Sequence, residues 1–129
     1  MGEYEHSNLQ TGLAVWLGAR EREWNIRVLI AQRIRVAPGR YRVPDICVLD
    51  RDQPVEPVFT RPPLICIEVL SKDDNLSEMQ QRVTDYLNLG VPNVWVVDPR
   101  SRRAYEGSVL EAPGTAIRIP LDEIFAELD

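Results

Sequence analysis

Apolar residues recur at helical spacing near the start of the chain, at Leu9, Leu13, Trp16 and Leu17, with Arg20 on the same stripe. A helix over residues 6 to about 22 is expected, with Ser7 or Asn8 as its N-cap. Trp24 and Asn25 interrupt the stripe. From 26 to 36 the period changes to two: Val28, Ile30, Ile34 and Val36 alternate with Arg27, Leu29, Arg33 and Arg35, as in a strand. Pro38-Gly39 marks a turn, and 42–49 reads as a second strand beginning at or just before Pro44. Residues 50–63 carry four of the ten prolines and are expected to be a loop. Residues 64–70 are almost continuously apolar, the pattern of a strand covered on both faces.

After a turn over 71–75, Leu76, Met79, Val83, Tyr86 and Leu87 define one side of a helix that Gly90 stops. A strand over 93–97 ends at Asp98-Pro99. Short strands over 102–105 and 116–119 are expected to form an edge hairpin, followed by a final helix over 121–128. The strand–helix–strand run from 64 to 97 suggests a right-handed crossover. The expected fold is therefore α/β, a mixed central sheet flanked by helices, in one domain over 1–129.

The composition agrees with an ordinary globular protein: 129 residues, 44% hydrophobic and 27% charged. The net charge of -5 counts against a generally basic nucleic-acid binder, because phosphate contacts dominate such affinity. It leaves room for an enzyme that meets the backbone through a local patch and a cation. No apolar run is long enough for a bilayer and no signal peptide is apparent, so a cytoplasmic protein with reduced Cys47 and Cys66 and no membrane association is expected.

Glu68 is the anomaly. It lies in the middle of the most apolar strand, where an ionised carboxylate needs a cation, a basic partner or water. Asp45 opens the neighbouring apolar run Ile46-Cys47-Val48-Leu49. If 43–49 and 64–70 pair antiparallel with Asp45 opposite Glu68, then Cys47 falls opposite Cys66 and all four share a face. Two such carboxylates suit Mg²⁺ (or Mn²⁺), which takes oxygen ligands and completes its shell with water and phosphate. The structural alternative is that Glu68 pairs with an arginine and Asp45 serves a turn. The cysteines read as small buried apolar residues.

Three segments together carry a family resemblance: Tyr41-Arg-Val-Pro-Asp-Ile-Cys-Val-Leu49, Ile65-Cys-Ile-Glu-Val-Leu-Ser71, and Arg82-Val-Thr-Asp-Tyr86 continuing into Gly90-Val-Pro-Asn-Val-Trp-Val-Val-Asp-Pro99. They resemble the Uma-type putative restriction-endonuclease family, a branch of the PD-(D/E)XK nuclease-like superfamily, over about residues 6 to 105. The resemblance implies a restriction-endonuclease-like core and Mg²⁺-dependent cleavage of DNA. By position it implies that Asp45 is the motif aspartate and Glu68 the motif acid, and that His6 matches a histidine at the start of the first helix. The lysine expected two residues after the acid is Leu70 here. In this family a helix lysine four residues before the tyrosine often takes that place; it is Arg82 in this chain. Lys72, the only lysine, is the other basic candidate. Arg82 stays protonated and cannot act as a general base, although it can stabilise phosphoryl charge.

The remaining residues give paired readings. His6 is the only histidine, which excludes a His-rich zinc site; it can orient water or phosphate, or simply face solvent. Glu3 and Glu5 read as helix N-terminal charges, or as a further acidic ligand if the N-terminal segment covers the cleft. Arg33, Arg35, Arg40 and Arg42 gather around the Pro38-Gly39 turn, either as a phosphate-contacting patch or as a charged edge hairpin. Trp16 and Trp95 suit the core. Asp73, Asp74 and Glu78 read as capping charges. The leading expectation is an endonuclease, with a homodimer possible because a double-strand cut needs two sites. The rivals are a catalytically impaired module of the same fold and a structural or regulatory oligomer.

Overall fold

The computed structural model describes residues 3–129. Helix α1 (Tyr4–Gly18) begins earlier than expected, with Glu3 in extended backbone at its N-cap, so Ser7 and Asn8 lie inside the helix rather than capping it. A short α2 (Glu21–Trp24) follows and is ended by Asn25 in the left-handed conformation, φ 54°. Arg20 leaves the apolar stripe: its guanidinium donates to the Trp16 carbonyl at 2.8 Å and lies 3.6 Å over the Trp16 ring.

The single strand expected over 26–36 is two strands, β1 (Ile26–Ile30) and β2 (Ile34–Ala37). The break is at Ala31, whose φ of 53° turns the chain out of the sheet while its N–H donates to the Asp45 carbonyl at 3.2 Å. The strand expected over 42–49 also divides, into β3 (Arg40–Arg42) and β4 (Ile46–Asp50). Pro44, with no N–H to give a ladder, lies in the gap. β2 and β3 pair with each other as a separate antiparallel hairpin, turning at Gly39 with φ 69°. The proline-rich segment after β4 docks on β2, where Phe59 and Arg33 to Arg35 exchange backbone hydrogen bonds of 2.8 and 3.1 Å.

The central sheet runs β1-β4-β5-β6-β7, with β5 (Ile65–Val69), β6 (Asn93–Asp98) and β7 (Arg103–Ala104). β5 and β6 are parallel and the other neighbours antiparallel, so the sheet is mixed. Helix α3 (Leu76–Leu89) makes the β5–β6 crossover. Asn75 caps it by accepting from the Glu78 N–H at 2.7 Å, and Gly90 ends it at φ 106°. At the open edge of the sheet, the Val28 N–H donates to Glu21 Oε2 at 2.8 Å.

The expected hairpin between 102–105 and 116–119 does not form. β7 pairs with β6, and β9 (Arg118–Pro120) pairs with β8 (Val109–Glu111), a strand whose pattern is too short to read. A tight turn closed by Ala104 and Gly107, each donating to the other at 3.0 and 3.1 Å, separates the two pairs. Helix α4 (Leu121–Leu128) closes the chain. Among the described residues no helix is long and apolar enough to cross a membrane.

The sheet has two differently filled faces. Ile46, Val48, Ile65, Ile67, Val69 and Val97 pack with Leu9, Leu13 and Leu17 of α1 and Ile124 and Phe125 of α4. Cys47, Leu49 and Cys66 pack on the opposite side with Tyr86 of α3, Ile34 and Val36 of β2, and Phe59.

Candidate active site

β4 and β5 pair antiparallel with Cys47 opposite Cys66 and Ile46 opposite Ile67. Continuing that register by one residue sets Asp45 opposite Glu68, just beyond the end of β4. Asp45 is fixed from several directions. Its Oδ2 accepts from the Val69 N–H at 2.7 Å and lies 3.3 Å from His6 Nε2. Its backbone carbonyl accepts from Gln10 Nε2 at 3.0 Å. His6 and Gln10 are four residues apart in α1 and so face the same way.

Glu68 is 1% exposed. The Tyr86 hydroxyl donates to its Oε2 at 2.7 Å, while Arg82 NH1 stands 3.9 Å from its Oε1, too far for a hydrogen bond. Burial, and then the neighbouring Asp45 charge, push the Glu68 pKa up from 4.5 to about 8, against the opposing pull of Tyr86 and Arg82. The internal basic partner therefore does not balance this carboxylate. The donor set is all oxygen, which suits a hard divalent cation. Among the described residues no group of three or more acidic, histidine or cysteine side chains is placed to hold a metal ion by itself, so water and substrate would complete the shell of any such cation.

Arg82 is the basic group at the site. It also reaches Glu78 at 2.9 Å and Asp74 at 3.9 Å. Partial burial disfavours its charge, but Glu78, Glu68 and Asp74 together hold its pKa above the usual value. Two hollows meet at this side chain. One is lined by His6, Gln10, Asp45, Ser71 and Asp74, the other by Tyr41, Arg42, Val43, Glu68 and Tyr86, and Arg82 lines both. Lys72 stands apart: its side chain is exposed and lines neither hollow, and its backbone N–H donates to Glu3 Oε1 at 2.7 Å. Leu70 continues β5 past Glu68, its N–H donating to the Val97 carbonyl at 2.9 Å.

Glu3 does approach the site, as a brace for the turn after β5. Besides Lys72 it accepts from the Ser71 hydroxyl at 2.6 Å, and these bonds lower its pKa. Glu5 takes no part in either hollow. The cysteines are fully buried side by side, and the Cys66 thiol is pushed up by Cys47 and by burial, so it stays a thiol. Asp74 has a local task, accepting from the Ser71 N–H at 2.9 Å, as well as facing Arg82.

Three contributors escape a reading of the sequence alone. The i, i+4 spacing of His6 and Gln10 is visible, but nothing marks Gln10 as the brace of Asp45. Tyr86 looks like a core residue of α3, and its hydroxyl shows its role only once β5 lies beneath it. Asp85, beside it, pairs with Arg42 at 2.8 Å and Arg40 at 3.1 Å.

The sequence profile of the Uma2 family, described as a putative restriction endonuclease, matches residues 1–107. No curated protein matches the chain in sequence. Among solved structures, the chain is similar to a putative nuclease belonging to DUF820 from Anabaena variabilis, with a TM-score of 0.82 and 18% identity, covering 100% of this chain and 84% of the other. At that identity the likeness is one of fold.

Proposed function

The chain belongs to the Uma2 family of putative restriction endonucleases, and on that premise we propose that it is a metal-dependent deoxyribonuclease working at Asp45 and Glu68. The observation that carries this reading is the β4–β5 register, which continued by one residue sets the two carboxylates opposite each other, with Glu68 buried and Arg82 3.9 Å from it. Asp45 and Glu68 would hold Mg²⁺ or Mn²⁺. Such a cation supplies positive charge for the phosphoryl oxygens and lowers the pKa of an attacking water.

The chain's own groups prepare that chemistry. Tyr86 occupies Glu68 Oε2 and leaves Oε1 on the side of Arg82. Val69 N–H and His6 hold Asp45 Oδ2. Arg82, charged throughout the working pH range, is placed to neutralise a pentavalent phosphorus centre. His6, at the rim with its ring nitrogen on Asp45, can orient a water or a phosphate oxygen. Lys72 serves this purpose only if its side chain turns back from solvent. Cutting both strands of a duplex would require two copies of the site, as in a homodimer.

Leu70 supports a second reading. With an aliphatic side chain where the superfamily pattern has lysine, the fold would bind metal or nucleic acid without turnover. One experiment separates the two. Supercoiled plasmid is incubated with the protein and Mg²⁺ or Mn²⁺, in parallel with Asp45→Ala and Glu68→Ala. Nicking or linearisation by the unaltered protein, lost in both variants, is expected. A missing carboxylate should cost on the order of 10³-fold in rate. Equal cleavage by all three would sink the assignment. Metal binding without cleavage, lost in both variants, would establish the non-catalytic reading.

A further inference from the structure

The net charge of the chain is -5, yet the β2–β3 hairpin and its flanks carry Arg33, Arg35, Arg40 and Arg42 within ten residues. The hairpin sorts them by face. Ile34 and Val36 go down into the core, and Arg42, opposite Ile34, goes down with them onto α3. There the Asp85 carboxylate holds Arg42 and reaches Arg40 as well. Arg35 lies opposite Tyr41 on the outer face, and the Arg33 guanidinium sits 4.7 Å over the Tyr41 ring. Arg33, Arg35 and Tyr41 are all exposed. Among the described residues neither Arg33 nor Arg35 has a carboxylate within ion-pair distance.

This positive surface reaches the site through Tyr41. Tyr41, Arg42 and Val43 line the same hollow as Glu68 and Arg82, and only Val43 and Pro44 separate the end of β3 from Asp45. The hairpin stands outside the central sheet, so its outer face is free to follow an extended ligand. Arginines that lack carboxylate partners, spaced two apart in extended chain and leading to a buried carboxylate, match a phosphodiester backbone.

We infer that the β2–β3 hairpin is the docking element for the DNA backbone, with Arg33 and Arg35 gripping phosphates on its outer face and the Asp85 clamp fixing the hairpin over the Asp45–Glu68 site. The assignment rests on the nuclease reading above and adds where the polymer lies. Arg33→Ala/Arg35→Ala removes the grip at exposed positions and leaves Asp85, Arg40 and Arg42 intact.

The test measures fluorescence anisotropy of labelled duplex and single-stranded oligonucleotides on the full chain without divalent metal, over a range of salt. It is run beside hydrolysis of bis(4-nitrophenyl) phosphate, a small diester for the hollow of Glu68 and Arg82, which neither Arg33 nor Arg35 lines. The double variant should bind roughly tenfold or more weakly at low salt, with a shallower salt dependence by about 0.9 per lost duplex phosphate contact or about 0.7 per single-strand contact. It should melt as the unaltered protein does, lose plasmid cleavage, and keep its activity on the small diester. The stronger of the two oligonucleotide arms identifies which form of backbone the hairpin grips. Binding without hydrolysis of either substrate would retire the catalytic reading and leave the docking assignment standing. Equal affinity of variant and unaltered protein for both oligonucleotides, or no binding by the unaltered protein at low salt, would overturn it.

Discussion

Along β5, Ile65, Ile67 and Val69 turn to one side of the sheet and Cys66 and Glu68 to the other, and the two sides differ in kind. The side under α1 and α4 is an unbroken apolar cluster, with Leu13 and Leu17 at 0% exposure. The side under α3 and the hairpin is smaller and carries a buried carboxylate, a tyrosine hydroxyl and two thiols. The contrast shows how a small protein can tolerate a costly polar group: strand alternation confines it to one face, while the other face supplies the cohesion.

Leu13→Ala attacks the cohesive side and should have the largest effect on stability, a loss of about 2–5 kcal/mol. Denaturant unfolding measures it, and a loss near zero would erase the difference between the faces. Glu68 should behave in the opposite sense in protein stripped of divalent cations. Its folded pKa of about 8 lies above its ordinary 4.5, so the stability linked to its protonation is complete below that ordinary value and disappears as pH rises through 8. Melting temperatures in chelator should therefore fall across this window, and Glu68→Gln should flatten the fall. Mg²⁺ or Mn²⁺ should raise the melting temperature more at pH 8 than at pH 5, because a cation requires the ionised form. An unchanged slope in Glu68→Gln would place the titration elsewhere.

Tyr86→Phe is the finest probe. It removes one hydrogen bond to Glu68, worth about 1 kcal/mol net. Because that bond favours the ionised carboxylate, its loss should also move the pH midpoint of metal-induced stabilisation upward. A midpoint that stays in place would mean that Tyr86 only packs.

Much of this arrangement was legible in the sequence where local signals were redundant. The unbroken apolar run around Glu68 and the Asn75 and Gly90 limits of α3 follow from local patterns, and the Cys47–Cys66 register is the one obtained by supposing Asp45 opposite Glu68 in an antiparallel pair. The elements that escaped depend on conformations the sequence does not advertise. Ala31 adopts a positive φ that alanine rarely takes, and only tertiary contacts with Asp45 and Phe59 reveal why the strand ends there. β8 is three residues long and finds its partner through a turn, too little for periodicity to register. At the site, the two carboxylates stood out by their setting, whereas Gln10 and Tyr86 became visible through long-range hydrogen bonds.

The Glu21 carboxylate that caps the Val28 N–H has a further consequence. β1 is an outer strand with only β4 beside it, and such a border would ordinarily invite a second chain to zip on. Here a side chain from α2 occupies the central donor of that border, and the opposite border, β7, is two residues long. Both borders of the central sheet are thus blunted against growth by shared strands.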